Sequence, residues 1–187
     1  DSCEAEINKV TKLDMTLFKK IQMFAHLEPF NPNDSIPYGD LALVLKLGKD
    51  LTNNYYEYEI PLQSSMLNGG TAFEGNIWPD TNYINLELEK FLTLKKENIK
   101  NKSIFEAEDP DNPGAFLRVR GTPSLGFIKV LGIAVRNKSD QNKVYCGQVW
   151  VNELRLAGLN EDGSYAAQAR GQIKLADLGD INFAGSY

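Results

Sequence analysis

Apolar and polar residues alternate with period two along most of this 187-residue chain, and the alternation is most regular at its end. Tyr165, Ala167, Ala169, Gly171, Ile173 and Leu175 are apolar or small, and Ala166, Gln168, Arg170, Gln172 and Lys174 stand between them. After Ala176-Asp177-Leu178-Gly179-Asp180 the pattern resumes, with Ile181, Phe183, Gly185 and Tyr187 on one side. Period two marks a strand with one apolar face. Two such strands around Asp- and Gly-rich residues predict a β-hairpin. The alternation is still running at Tyr187, which reads as a sheet that continues in a longer protein.

The same period recurs upstream. Lys20–Leu27 is a mostly apolar run. Leu41, Leu43, Leu45 and Leu47 share a face, with Lys46 on the other. Tyr56, Tyr58, Ile60 and Leu62 align opposite Tyr55, Glu57 and Glu59, and Ile84, Leu86 and Leu88 alternate within Tyr83–Glu89. Further strands are predicted over Phe116–Arg120, Phe127–Arg136 and Val144–Leu156. Phe127, Leu131, Ile133 and Val135 fall on one side of the second of these. Only Glu87–Lys100 departs from the pattern: Leu88, Phe91, Leu92 and Ile99 stand at near-helical spacing and predict a short helix. Seven or eight strands and one helix before residue 160, joined by loops, imply antiparallel pairing. The expected fold is mainly β: an antiparallel jelly-roll-like β-sandwich with one short helix over residues 1–160, and a β-hairpin over 161–187.

Composition narrows the function classes. A hydrophobic content of 42% supports a real core, and a net charge of −5 carries no nucleic-acid footprint. The lysines and glutamates are interspersed and read as solvated faces. No run of about 18 apolar residues is present, so no transmembrane helix is expected. Asp1-Ser2-Cys3-Glu4 lacks the basic start and apolar core of a signal peptide, which fits a mature chain or an excised segment. Cys3 and Cys146 are the two cysteines, and their spacing fits no metal motif. A disulfide and two unpaired thiols are both open, and Cys146 can simply be packed in its strand.

Candidate chemistry is sparse. His26 is the single histidine and lies in an apolar run, so a core or edge role competes with that of a catalytic base. Asp109, Asp111 and Asn112 offer oxygen ligands suited to calcium, but Pro110 and Pro113 fit a plain turn and the spacing is not that of an EF-hand. Among the aromatics, Tyr56, Tyr58 and Trp150 align with core positions. Trp78, before Pro79 in a loop, is the candidate for an exposed glycan-stacking ring. Glu57/Glu59 and Glu87/Glu89 are i, i+2 carboxylate pairs on outward faces, which glycosidase chemistry would need in a cleft. Gly69-Gly70 lacks the Lys-Ser/Thr that would make it a phosphate loop. No catalytic residue, cofactor or metal site is assigned.

The run Gln148-Val149-Trp150-Val151-Asn152-Glu153-Leu154-Arg155-Leu156 resembles a recurring "VWVNELRL" signature of the SprA/Sov family of Bacteroidetes cell-surface proteins. In that family a polar segment, an Ala-rich strand and a "KLADLG"-like turn follow, as do Asp162–Ala167 and Lys174–Gly179 here. Lys20–His26, Ile77-Trp78-Pro79-Asp80 with Asn85–Leu88, Gly126, and the "GIAVRN" of Gly132–Asn137 also resemble family segments. Ala25 stands where a larger aliphatic residue is usual, and the Gly69–Gly75 loop does not align.

The resemblance implies a fragment of a very large outer-membrane β-barrel, the translocon of the type IX secretion system, which exports folded proteins and supports gliding motility. No catalytic motif comes with the family. The implied partners are the parent barrel, other secretion-system subunits and exported cargo, at the outer membrane or cell surface. In an isolated fragment the C-terminal hairpin could also pair with a second copy. Tyr165–Leu175 has the length of a transmembrane β-strand, with Gln168, Arg170, Gln172 and Lys174 toward the lumen. A hairpin on a soluble domain gives the same pattern. The alternative function is a glycan-binding jelly-roll module of a secreted or cell-surface protein.

Overall fold

The computed structural model describes residues 3–31, 33–65, 77–97, 104–139, 143–159, 168–175 and 179–186. Eleven strands lie within them: β1 (Glu4–Leu13), β2 (Phe18–Pro29), β3 (Leu41–Gly48), β4 (Tyr55–Pro61), β5 (Ile84–Glu87), β6 (Phe105–Glu108), β7 (Phe116–Arg120), β8 (Ile128–Asn137), β9 (Gly147–Leu159), β10 (Gln168–Leu175) and β11 (Gly179–Ser186). A 3-10 turn, Asp80–Asn82, precedes β5, and one α-helix, α1 (Leu88–Glu97), follows it directly. All strand pairings among the described residues are antiparallel.

The strands form two layers and a separate ribbon. One sheet has the order β1-β8-β3-β4-β7-β6, the second β5-β2-β9, and β10 pairs with β11. The layers thus hold six and three strands, a mainly β, antiparallel β-sandwich. The core lies between them. Ile21, Met23, Ala25 and Leu27 of β2 face Leu43, Leu45 and Leu47 of β3 and Tyr56, Tyr58 and Ile60 of β4. Ile84 and Leu86 of β5 extend this core, and Leu88, Phe91 and Leu94 bring in the inner face of α1. Phe91 is fully buried, with its ring centroid 4.9 Å from that of Tyr56.

Turn chemistry closes the hairpins where the pattern lapses. Asp50 accepts backbone hydrogen bonds from Thr52, Asn53 and Asn54 in the β3–β4 loop. Hydrogen bonds led by the Asn54 side chain and the Asn53 amide hold the Asp50 carboxyl at about 2, well below its ordinary value. Gly121, after β7, has φ +65, and a Cβ there would lie 2.2 Å from the Asn53 carbonyl oxygen. Only glycine fits that turn.

Several expectations are corrected. Two strands that the sequence reading did not predict, β1 and β6, are the edges of the six-stranded sheet. Lys46, Glu57 and Glu59, expected on solvated faces, are buried, with Glu59 fully so. Phe127 is exposed before the start of β8. Trp150, expected in the core with Cys146 and Leu154, is 57% exposed, and the other two are exposed as well. The cause is a bulge. Glu153 has φ 54, in the left-handed region, and two residues of β9 oppose the single Met23 of β2. Parity therefore reverses within "VWVNELRL". Val149 packs on the core before the bulge and Leu156 after it, with Trp150 on the outer face.

In the hairpin, β10 and β11 register Ile173 against Ile181, Gly171 against Phe183 and Gln172 against Asn182. Apolar positions therefore oppose apolar or small ones, as the alternation predicts. Tyr165–Ala167, the Ala176–Leu178 part of the turn, Ile99 and the Gly69–Gly75 loop lie outside the described residues. No helix among the described residues is long and apolar enough to cross a membrane, which leaves β-strand crossings open.

Candidate functional site

Two surfaces concentrate the chain's polar and aromatic chemistry. The first is the outer face of the six-stranded sheet. One row across it reads Asn8, Gly132, Lys46, Glu57, Arg118, Glu106 from β1 to β6. The next row carries Glu6 and Glu59, and a third carries Glu4 and Arg136. Beneath the long side chains the sheet is floored by Ala42, Val44 and Ala134, all 0–1% exposed. Gly132 belongs to this floor, and a Cβ there would meet Leu51 Cδ1 at 2.8 Å.

The ion pairs form one connected network. Lys46 Nζ donates to Glu4 at 2.5 Å and Glu6 at 2.7 Å. Arg136 pairs with Glu4 at 2.7 Å, with Glu57 at 2.9 Å and with Glu59. Arg118 reaches Glu57 at 2.7 Å, Glu59 at 2.9 Å and Glu106, while Lys138 holds Glu59 at 2.5 Å. Burial alone would push the Glu59 carboxyl up, but Arg118 and Lys138 outweigh it and hold it at about 2. Glu4 is likewise lowered: Lys46 and Arg136 overcome the effect of burial. Arg136 and Arg118 are raised, because their carboxylates overcome the desolvation that opposes their charge. Glu4 and Glu59 are thus held ionised at neutral pH, whereas a general acid needs its pKa raised toward working pH. The network rigidifies the sheet and presents a fixed pattern of charge.

The second surface is the outer face of β2 and β9. Phe24 stacks on Tyr83 with centroids 4.4 Å apart, and Trp78 meets Phe24 and His26 edge-on at 6.3 and 5.9 Å. Trp78 is half-buried by these contacts, and the ring most open to solvent here is Trp150, opposite His26 across the β2–β9 pair. His26 is 7% exposed. Its Nδ1–H donates to the Ile77 carbonyl at 2.7 Å, and Nε2 lies 3.2 Å from Glu28. Hydrogen bonds from His26 and Gln148 hold the Glu28 carboxyl below its ordinary range. The single histidine thus pins the Ile77–Trp78 segment to the sheet. The parity break at Glu153 hid Trp150 from sequence reasoning.

The remaining sequence candidates lie apart. Asp109 is buried, and Lys90 Nζ sits between Asp109 at 2.5 Å and Asp111 at 2.7 Å. Tyr58 donates to Asp109 at 2.8 Å, and Asn112 donates to the Tyr58 hydroxyl. The position a cation would take between the two carboxylates is thus filled by an ammonium group. Among the described residues no three His, Cys, Asp or Glu side chains stand together as a metal site. Glu87 and Glu89 are exposed and line a depression of about 620 Å³ between β2 and α1, where Glu87 pairs with Lys20 at 3.4 Å. Cys3 and Cys146 are both exposed and unpaired.

Among proteins with curated descriptions, none matches the chain. A family model does, and its match spans sandwich and hairpin together. Residues 5–187 match SprA_N, described as motility related/secretion protein, and the chain belongs to that family.

Proposed function

We propose that this chain is a non-enzymatic structural and interaction domain of a SprA-like outer-membrane translocon, which exports folded proteins and supports gliding motility. Residues 1–160 form the sandwich, and residues 161–187 begin a membrane-barrel segment of the parent protein. The carrying observation is that one family match runs continuously from β1 through the β10–β11 hairpin. The hairpin's two eight-residue strands come near the 9–11 residues of a membrane-crossing strand. Their register sets apolar positions against apolar or small ones, as a lipid-facing stripe requires. Function then resides in surfaces that meet the barrel, its subunits and its cargo, and the rigid charged sheet face is one such surface.

Cysteine scanning of the parent protein in its membrane tests the assignment. In a background whose native cysteines, Cys3 and Cys146 among them, are replaced by serine, single cysteines at 168, 170, 172 and 174 should react with a water-soluble maleimide. Those at 169, 171, 173 and 175 should be protected until detergent is added. Equal reactivity of the two sets, or recovery of the protein outside the membrane fraction, would overturn the barrel assignment.

A further inference from the structure

Burial along the core face of the six-stranded sheet falls off toward β1 in three successive rows. Leu45 is fully buried, its neighbour Ile133 on β8 is half-buried, and Ile7 beyond it on β1 is 69% exposed. Leu43, Val135 and Ala5 repeat this order, as do Leu47, Leu131 and Lys9. In every row the cover gives out between β8 and β1. The covering layer ends there too: β9 is the last strand of the order β5-β2-β9, so its outer row of N–H and C=O groups faces no strand among the described residues. Val151 lies on the core side of β9, opposite Ala25, and is still 37% exposed.

We propose that β9 and β1 together form an acceptor site for one extended segment of another polypeptide, which adds to the second sheet as its fourth strand. A strand laid beside β9 would satisfy the open backbone edge and place alternate side chains over Ala5, Ile7 and Val151. The uncovered ground is a single strand wide, about 4.8 Å, so it takes a lone extended segment rather than a second folded sandwich. Charge narrows the occupant further. Glu4 and Glu6 are engaged with Lys46 and Arg136 on the opposite face, whereas Lys9 and Lys12 are exposed at the far end of the groove. The segment is therefore apolar at every second residue and carries a carboxylate toward Lys9. The site uses no hairpin residue and stands whether or not the barrel assignment does.

The test uses the full 187-residue chain and a fluorescein-labelled, end-blocked peptide, Thr-Glu-Thr-Val-Thr-Val-Thr-Val-Thr-Glu-Thr, in which the glutamates share the face of the valines. Fluorescence polarisation should show saturable binding, and hydrogen exchange should slow at 147–152. Replacing the central threonines of the peptide by proline, which removes their N–H donors, should weaken binding at least about tenfold. Ile7→Lys should do the same, and because Ile7 is largely exposed the fold is retained. Lys9→Glu, which repels the peptide carboxylates, is the second variant. Val10→Lys, one residue along and on the opposite face, should bind normally. Absence of saturable binding, or binding indifferent to Ile7→Lys and Lys9→Glu, would overturn the proposal. So would concentration-dependent dimerisation abolished by Ile7→Lys, since the occupant would then be a second copy.

Discussion

Replacing Glu59 with glutamine removes one charge from the centre of the ion-pair network and leaves its shape nearly unchanged. Glu59 is 0% exposed and is the shared partner of Arg118, Arg136 and Lys138. A carboxyl with an ordinary value of 4.5 that falls to about 2 on folding contributes about 3 kcal/mol at neutral pH. Removing one member of a buried ion cluster costs about 3–5 kcal/mol by a separate route, because the cations left behind stay desolvated. The two figures agree. Because the folded value is the lower one, the contribution is complete above pH 4.5 and is lost as pH falls toward 2. Urea unfolding of the wild type and of Glu59→Gln at pH 7 and pH 3 measures both effects. At pH 7 the variant should lose about 3 kcal/mol, a fall in Tm of roughly 6–12 °C for a chain of this size. At pH 3 the gap should narrow, while Glu4 and Asp109, also lowered, leave some acid sensitivity in the variant. A loss below about 1 kcal/mol at pH 7, or an equal gap at both pH values, would refute the reasoning.

Substitutions at two further positions probe the packing and the bulge. Phe91→Ala removes the fully buried ring that α1 lays against Tyr56 and should cost about 3–5 kcal/mol in urea unfolding, with the loss spread over the whole sandwich rather than confined to the helix. Glu153→Val should destabilise by about 1–2 kcal/mol, since a β-branched residue fits φ 54 poorly, whereas Glu153→Gly should be neutral or stabilising; equal effects of the two on Tm would remove the bulge as the reason for Trp150's exposure.

Period-two alternation was enough to place β2, β3, β4, β5, β7, β8 and the hairpin, because each of these strands presents one apolar side to a core or a partner. The helix was legible from the spacing of Leu88 and Phe91, which are buried, although Leu92, read with them, is exposed and Leu94 takes the next core position. The two edge strands of the six-stranded sheet, β1 and β6, escaped because neither holds a fully buried side chain. β1 alternates carboxylates with small and apolar residues, Glu4-Ala5-Glu6-Ile7, and its inward residues on the core side remain exposed. Family resemblance was equally legible, since it rests on residue identity.

What local pattern could not decide was the fate of polar positions. Glu57 and Glu59 look solvated in the sequence because their strand neighbours are core residues. They are buried because Arg118, Arg136 and Lys138 arrive from β7, from β8 and from just beyond it, segments 59 to 79 positions away along the chain. Trp150 looks like core by parity and is not, because Glu153 turns left-handed and shifts the register by one. Calcium was a reasonable reading of Asp109, Asp111 and Asn112 until Lys90, nineteen residues earlier on α1, was found between the carboxylates. The sequence by itself determined the class of fold, the family and the apolar faces, all of which depend on periodicity and residue identity over short stretches. Tertiary structure alone decided which charges are paired, which aromatic ring is open and how far the described strands of one sheet cover the other. Those outcomes depend on groups brought together from distant parts of the chain and on how far one sheet reaches across the other.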